Sequence, residues 1–183
     1  GAIEKIVHDK IVEIIIDNPS KRNSITGKMM NEMASIVDEI TDYDTDHGST
    51  SSVVGIVVRG SGMAAFCAGA DLNLVKNVVN TAERGALMAE FMTDALNRLR
   101  SCSLISVCCL NGPALGGGAE LATCCDFRII PIFTDATNIP SNDSQAEQKR
   151  VYIQFVHAKI GASPGWGGAR RLVSIVGRQQ AIR

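Results

Sequence analysis

Residues 104–130 read LISVCCLNGPALGGGAELATCCDFRII, and the rest of the chain is organised around them. The apolar run 104–110 has the length and composition of a buried strand. Asn111, Gly112 and Pro113 break it. Gly116, Gly117 and Gly118 follow, and then Glu120 in an otherwise apolar helix start. Glycine lets a backbone come close to a ligand or to another backbone. A helix N-terminus offers N–H groups without intrahelical acceptors and a partial positive charge. The local design is an electrophilic cradle beside one carboxylate.

Working outward, the same strand–glycine-loop–helix unit occurs earlier. Residues 53–59 (VVGIVVR) form a near-continuous apolar run, as in a strand covered on both faces. A Gly/Ala-rich loop at 60–70 leads to Asp71, whose carboxylate suits the positive end of a helix. If the two strands are neighbours, N–H groups from both loops can converge on one carbonyl oxygen and form an oxyanion hole for a developing enolate. Small residues at these places fit tight strand–helix packing equally well.

Residues 10–17 (KIVEIIID) read as a strand ending at Asn18-Pro19. A polar turn carrying Lys21 and Arg22 follows, either solvated or in contact with a ligand. Thr26 is placed to cap a helix with Met29, Met30, Met33, Ile36, Val37 and Ile40 on its core side. A second amphipathic helix over 82–100 carries Leu87, Met88, Phe91, Met92, Ala95, Leu96 and Leu99 on its expected buried side. Strands alternating with helices predict an α/β fold with right-handed crossovers. Residues 134–150 are polar, aperiodic and contain Pro140, which predicts a mobile surface insertion in one domain spanning 1–183. Gly161 to Gly168 make a tight loop, and a further helix starts at Ala169.

Composition excludes several classes. Eighteen basic against nineteen acidic residues leave a net charge of −1, so nothing favours nucleic acid or an anionic membrane. No apolar run reaches the ~18–20 residues of a membrane span. The start lacks the basic-then-apolar pattern of a secretory signal. A cytosolic protein is expected, with mitochondrial placement as the alternative. The six cysteines contain no C-x-x-C, and four lie as adjacent pairs in apolar runs, so reduced core thiols are expected. The aspartates within residues 42–52 fail as a calcium loop: His47 stands where the sharp-turn glycine belongs and Val53 where the bidentate glutamate belongs. No metal is expected. Residues 161–165 match G-x-S-x-G, but the residue after Ser163 is Pro164, which has no N–H to donate to an oxyanion. A serine hydrolase is excluded.

Five stretches taken together decide more: N-P-S-K-R-N at 18–23, F-C-A-G-A-D-L at 66–72, N-G with A-L-G-G-G-A-E-L at 111–121, C-D-F-R at 125–128 and P-G-W-G-G at 164–168. In this order and spacing the chain resembles the crotonase (enoyl-CoA hydratase/isomerase) superfamily. The resemblance implies a spiral of ββα units, acyl-CoA as the partner with no separate cofactor, homo-trimers or hexamers, and a place in fatty acid metabolism. Carried over residue by residue, it puts the oxyanion-hole amides at Ala70 and Gly117 and a catalytic glutamate at Glu120. Lys21, Arg22, Ala68, Asp71, Leu72 and Gly116 lie along the acyl-CoA.

Where the family's hydratases and isomerases have a second carboxylate, this chain has His157. Two glutamates would repel a substrate that brings its own carboxylate; a histidine removes that repulsion. The segments 155–157, 161–168 and 171–173 are similar to the branch of the superfamily that decarboxylates malonyl-type thioesters. This implies loss of CO2 from ethylmalonyl-CoA and, less readily, methylmalonyl-CoA. His157, whose residue type changes charge near neutrality, is then a proton donor, with Glu120 as its rival. Hydration or isomerisation, and acyl-CoA binding without turnover, are the alternatives. Against the family pattern residues 134–150 are an insertion, and the C-terminal helices used for trimer contacts and for covering the acyl-CoA are missing.

Overall fold

The computed structural model describes residues 1–45, 53–131 and 151–182. β2 (Ile11–Asp17) carries Val12, Ile14 and Ile16 on one face, and all three are buried. It pairs antiparallel with β1 (Ala2–His8) and parallel with β3 (Gly55–Gly60). β3 pairs parallel with β4 (Ile105–Cys109), and β4 with β6 (Phe127–Ile129). The register sets Ile14, Val58 and Cys108 in one row, so their side chains share a face and all three are buried. β1 was not legible from the pattern. As an edge strand it mixes Glu4, Lys5 and His8 with its apolar residues, which blunts an exposed edge and also its periodicity.

Against the buried face lies α1 (Gly27–Thr45), whose six expected core residues are all buried. Its first turn is held by the Thr26 hydroxyl, which accepts from the Met29 N–H at 3.3 Å. The helix runs through Thr45, so residues 42–45 are helical where a loop was expected. The rest of that expected loop, and the insertion expected at 134–150, lie outside the described residues. α2 (Leu72–Asn77) and α3 (Ala82–Ser101) come between β3 and β4.

The α3 assignment needs one correction. Met92, Ala95, Leu96 and Leu99 are buried, but Leu87 is 65% and Phe91 42% exposed. The first half of α3 does not sit on the sheet. It forms, with Gly27, Met30, Leu74 and Val79, an open apolar groove of about 620 Å³. Helical periodicity marks an apolar face but does not say what covers it.

A second, two-stranded sheet joins β5 (Ala114–Leu115) to β7 (Ile153–Gln154) in parallel. α4 (Gly117–Ala122) follows β5 directly, and every one of its residues is buried. After a 3-10 turn at Val156–Ile160, α5 (Gly168–Val176) and the short α6 (Arg178–Ala181) complete the described chain. Among the described residues no helix is long and apolar enough to cross a membrane. None of the six cysteines forms a disulfide among the described residues, and burial pushes the Cys67 and Cys124 thiols up to about 12. Four of the six, Cys67, Cys108, Cys124 and Cys125, are buried as core positions, while Cys102 and Cys109 are only partly buried.

The tightest backbone approach is at Gly118. A β-carbon there would lie 2.8 Å from the Cys67 carbonyl carbon and closer to its oxygen. Neither partner is a side chain that can swing aside. Gly118→Ala should therefore lower the unfolding free energy by about 3 kcal/mol in urea denaturation. Gly161→Ala, with open space around the added carbon, should cost only the backbone strain of its φ of +69°.

Candidate active site

Ile25 forms a parallel bridge to Ala70. The Ile25 N–H donates to the Gly69 carbonyl at 2.8 Å, and the Asp71 N–H donates to the Ile25 carbonyl at 2.9 Å. In such a bridge the central residue's own N–H points away from its partner. On the other side, Cys67 bridges Ala114, and the Leu115 N–H donates to the Cys67 carbonyl at 2.9 Å. The two glycine loops therefore touch. A β-carbon on Gly69 would stand 3.1 Å from the Gly117 amide nitrogen. Gly69 (φ +92°) and Gly116 (φ +54°) take conformations that favour glycine, which lets the chain turn there. Gly117 opens α4, so its N–H has no intrahelical acceptor. Among the described residues neither the Ala70 nor the Gly117 N–H donates to anything.

Glu120, 1% exposed, projects from the first turn of α4. Its Oε2 accepts from the Trp166 N–H at 2.8 Å and the Gly168 N–H at 2.7 Å. Its Oε1 lies 3.2 Å from His157 Nε2. A buried carboxylate without partners would cost several kcal/mol, and here both oxygens have one. His157 arrives through the small sheet. β7 pairs with β5, the Gly116 N–H donates to the Gln154 carbonyl at 3.0 Å, and three residues later the imidazole stands over Gly116. A β-carbon on Gly116 would be 3.8 Å from Nε2. Nδ1 is buried without a partner among the described residues. The structure thus brings Ala70, Gly116, Gly117, Glu120 and His157 together from three separate stretches.

The other expected contacts are placed differently. Lys21 Nζ donates to Asp71 Oδ2 at 2.9 Å. Asp71 Oδ1 caps α2 by accepting from the N–H groups of Asn73 and Leu74. Both oxygens of Asp71 are engaged within the chain, so its carboxylate ties the 18–23 turn to α2 and does not face a ligand. The hydrogen bond from Lys21 is the main cause holding the Asp71 carboxyl below its usual range. Arg22 is exposed, and its carbonyl accepts from the Ala68 N–H at 3.0 Å. Ala68 is half-buried beside the Ala70 loop, and Leu72 is exposed on α2.

Sequence reasoning missed two members of the site. A β-carbon on Gly117 would collide with the ring of Trp166, which is 3% exposed and lies directly against that glycine. Arg171 is 4% exposed and reaches the Glu120 and Trp166 carbonyls through Nη2. The signal for Trp166 was a lone tryptophan between glycines. Arg171 lay in the 171–173 segment of the resemblance, but nothing in the sequence told it apart from Arg170 beside it, which is exposed.

The Asp71–Lys21 pair has a pH signature. A depressed carboxyl adds stability above the pH at which the unfolded side chain ionises, about 4. That stability is lost as pH falls through the lower folded value. Asp71→Asn keeps an N-cap but loses the ion pair. It should lower stability at neutral pH and flatten its acid dependence below about pH 4 in denaturant titrations.

Residues 7–183 match the enoyl-CoA hydratase/isomerase family. An ethylmalonyl-CoA decarboxylase of Xenopus laevis is 38% identical over 175 residues, 96% of this chain and 50% of that protein. One of Danio rerio is 37% identical over 182 residues, 99% of this chain and 52% of its own length. The chain spans about half the length of the curated relatives it matches. Among solved structures, Pseudomonas aeruginosa DspI has a TM-score of 0.79 at 25% identity, over 99% of this chain and 59% of that one. An enoyl-CoA hydratase of Bacillus anthracis also has a TM-score of 0.79, at 22% identity, over 99% of this chain and 60% of its own. With touching glycine loops on neighbouring parallel strands, this fold and a match over nearly its whole length, the chain belongs to the enoyl-CoA hydratase/isomerase (crotonase) family.

Proposed function

We propose that the protein is an acyl-CoA carboxy-lyase acting on short 2-alkylmalonyl-CoA thioesters, ethylmalonyl-CoA first and methylmalonyl-CoA second. The observation that carries this reading is the Glu120–His157 pair, one carboxylate facing one imidazole at 3.2 Å, beside two unpartnered backbone amides. Hydration uses two carboxylates to handle one water, and here the second place holds a neutral or cationic group. The names of the relatives above support the same reading.

The thioester oxygen is held by the N–H groups of Ala70 and Gly117. The bond between the α-carbon and the substrate carboxylate breaks, and its electron pair moves into the thioester as an enolate. CO2 leaves. The two amides stabilise the enolate oxygen, a contribution on the order of 3 kcal/mol per donor in comparable holes. The α-carbon then takes a proton, and ethylmalonyl-CoA becomes butyryl-CoA. His157, as an imidazolium, is the donor: its Nε2–H, which faces Glu120 Oε1 over Gly116 next to the hole, breaks as the α-carbon takes the proton and leaves a neutral imidazole. Glu120 has Oε2 taken by two N–H groups and serves to orient the imidazole. The thioester is itself the electron sink, so the reaction needs no separate cofactor. Lys21, Arg22, Ala68 and Leu72 flank the CoA, and the working form is a cytosolic homo-trimer or hexamer.

Ethylmalonyl-CoA and crotonyl-CoA offered in parallel test this. Release of CO2 with formation of butyryl-CoA, and no hydration of crotonyl-CoA, is expected. Hydration without CO2 release would sink the decarboxylase reading and favour a hydratase. Binding of both thioesters without turnover would favour a non-catalytic acyl-CoA-binding protein. Within the decarboxylase reading, His157→Ala should reduce kcat by about 10²-fold or more. An unchanged kcat would remove His157 from proton delivery.

A further inference from the structure

Arg171 has no part in the chemistry just proposed, yet its guanidinium is buried beside the one carboxylate that does. Burial is the main cause holding it below the ordinary guanidinium range, and the Glu120 carboxylate acts in the opposite direction. Taking an arginine out of water costs several kcal/mol unless its donors are used. Here Nη1 and Nη2 are used, while Nε is buried without a partner among the described residues. Nη2 donates to the carbonyls of both Glu120 and Trp166. Nη1 donates to Asn97 Oδ1 on α3 at 3.4 Å. A β-carbon on Gly167 would stand 2.8 Å from Nη1, so the guanidinium packs directly against the turn. α3 also supplies Thr93, whose hydroxyl donates to the Gly165 carbonyl at 3.0 Å. One cation therefore joins α3, α4 and the 165–168 turn.

That turn matters twice to the site. Its Trp166 and Gly168 amides hold Oε2 of Glu120, and its Trp166 ring backs Gly117. We propose that Arg171 is a positioning residue: it fixes the 165–168 turn so that two amides take one oxygen of Glu120 and leave the other to His157. The proposal rests on the decarboxylase reading only for its kinetic consequence. The mechanical link from Arg171 to the turn is independent of the substrate.

The test is a double-mutant cycle of Arg171→Met and Glu120→Gln in the full chain, with two readouts. Amide hydrogen exchange reports the turn without any turnover. Arg171→Met should speed exchange of the Trp166 and Gly168 amides about tenfold or more relative to core amides of β2 and β3. Trp166 is the only tryptophan, so its emission should shift to the red in the same variant. Unchanged exchange at both amides would overturn the proposal, whatever the enzyme does. In kinetics with ethylmalonyl-CoA, Arg171→Met should lower kcat by about 10²-fold with KM within about twofold. In the Glu120→Gln background the same change should cost less than about threefold, because Arg171 acts through Glu120. Independent, additive losses would assign Arg171 a general structural role and overturn the proposal. If Arg171→Met does not fold, Asn97→Ala removes a single partner without touching a buried charge, and the same amides are read. If the wild-type protein releases no CO2, the decarboxylase reading fails and the exchange experiment still decides the link.

Discussion

The structure depends on how one buried carboxylate is satisfied. Glu120 sits on a six-residue helix buried on every side, where an ionised group without partners would be expelled or would unfold its surroundings. Its charge is accommodated by two backbone amides of a turn almost fifty residues later. That requirement brings the 165–168 turn onto α4. It explains the glycine at 168: a β-carbon there would stand 2.8 Å from Glu120 Oε2 and closer to its Cγ. Beside the same turn lies a buried arginine, whose Nη2 donates to the carbonyls of Glu120 and Trp166.

The glycines of the two loops serve the same end at the level of the backbone. Gly118 packs on the carbonyl of Cys67, Gly69 on the Gly117 amide and Gly117 on the Trp166 ring. Each contact leaves no space for a methyl group. Close approach of this kind is what lets amides from two strand–helix connections face one point. The edge-like pairing of Ala70 with Ile25 and the helix start at Gly117 leave both N–H groups without an acceptor among the described residues. Packing by small residues and a paired-donor cradle, which looked like competing readings of the glycines, are one arrangement.

Around this site the charges have divided roles. Asp71 lies next to Ala70 in sequence, yet both of its oxygens are engaged in capping α2 and in pairing with Lys21. Glu120, equally close to its loop, keeps one oxygen directed at His157. Asp71 is the N-cap of α2 and Glu120 lies inside the first turn of α4, and they differ further in their partners: a lysine and two capping amides for the first, two turn amides and an imidazole for the second.

Much of the fold was legible from residues alone. The apolar runs at 53–59 and 104–110, the Thr26 cap and the period of α1 determine parallel strands and core helices, because burial selects apolar residues at the spacing of each element. The order of the glycine motifs determined the family, and with it the nearness of Gly117, Glu120 and Ala70. Three things needed the tertiary structure. The edge strand β1 has a diluted pattern because its outer edge meets water. The groove under Leu87 and Phe91 exists because an apolar face need not be covered by its own chain. The partners of Glu120, namely Trp166, Gly168 and, behind them, Arg171, could not be read in sequence, because backbone amides are identical at every residue and only folding decides which of them point at a carboxylate.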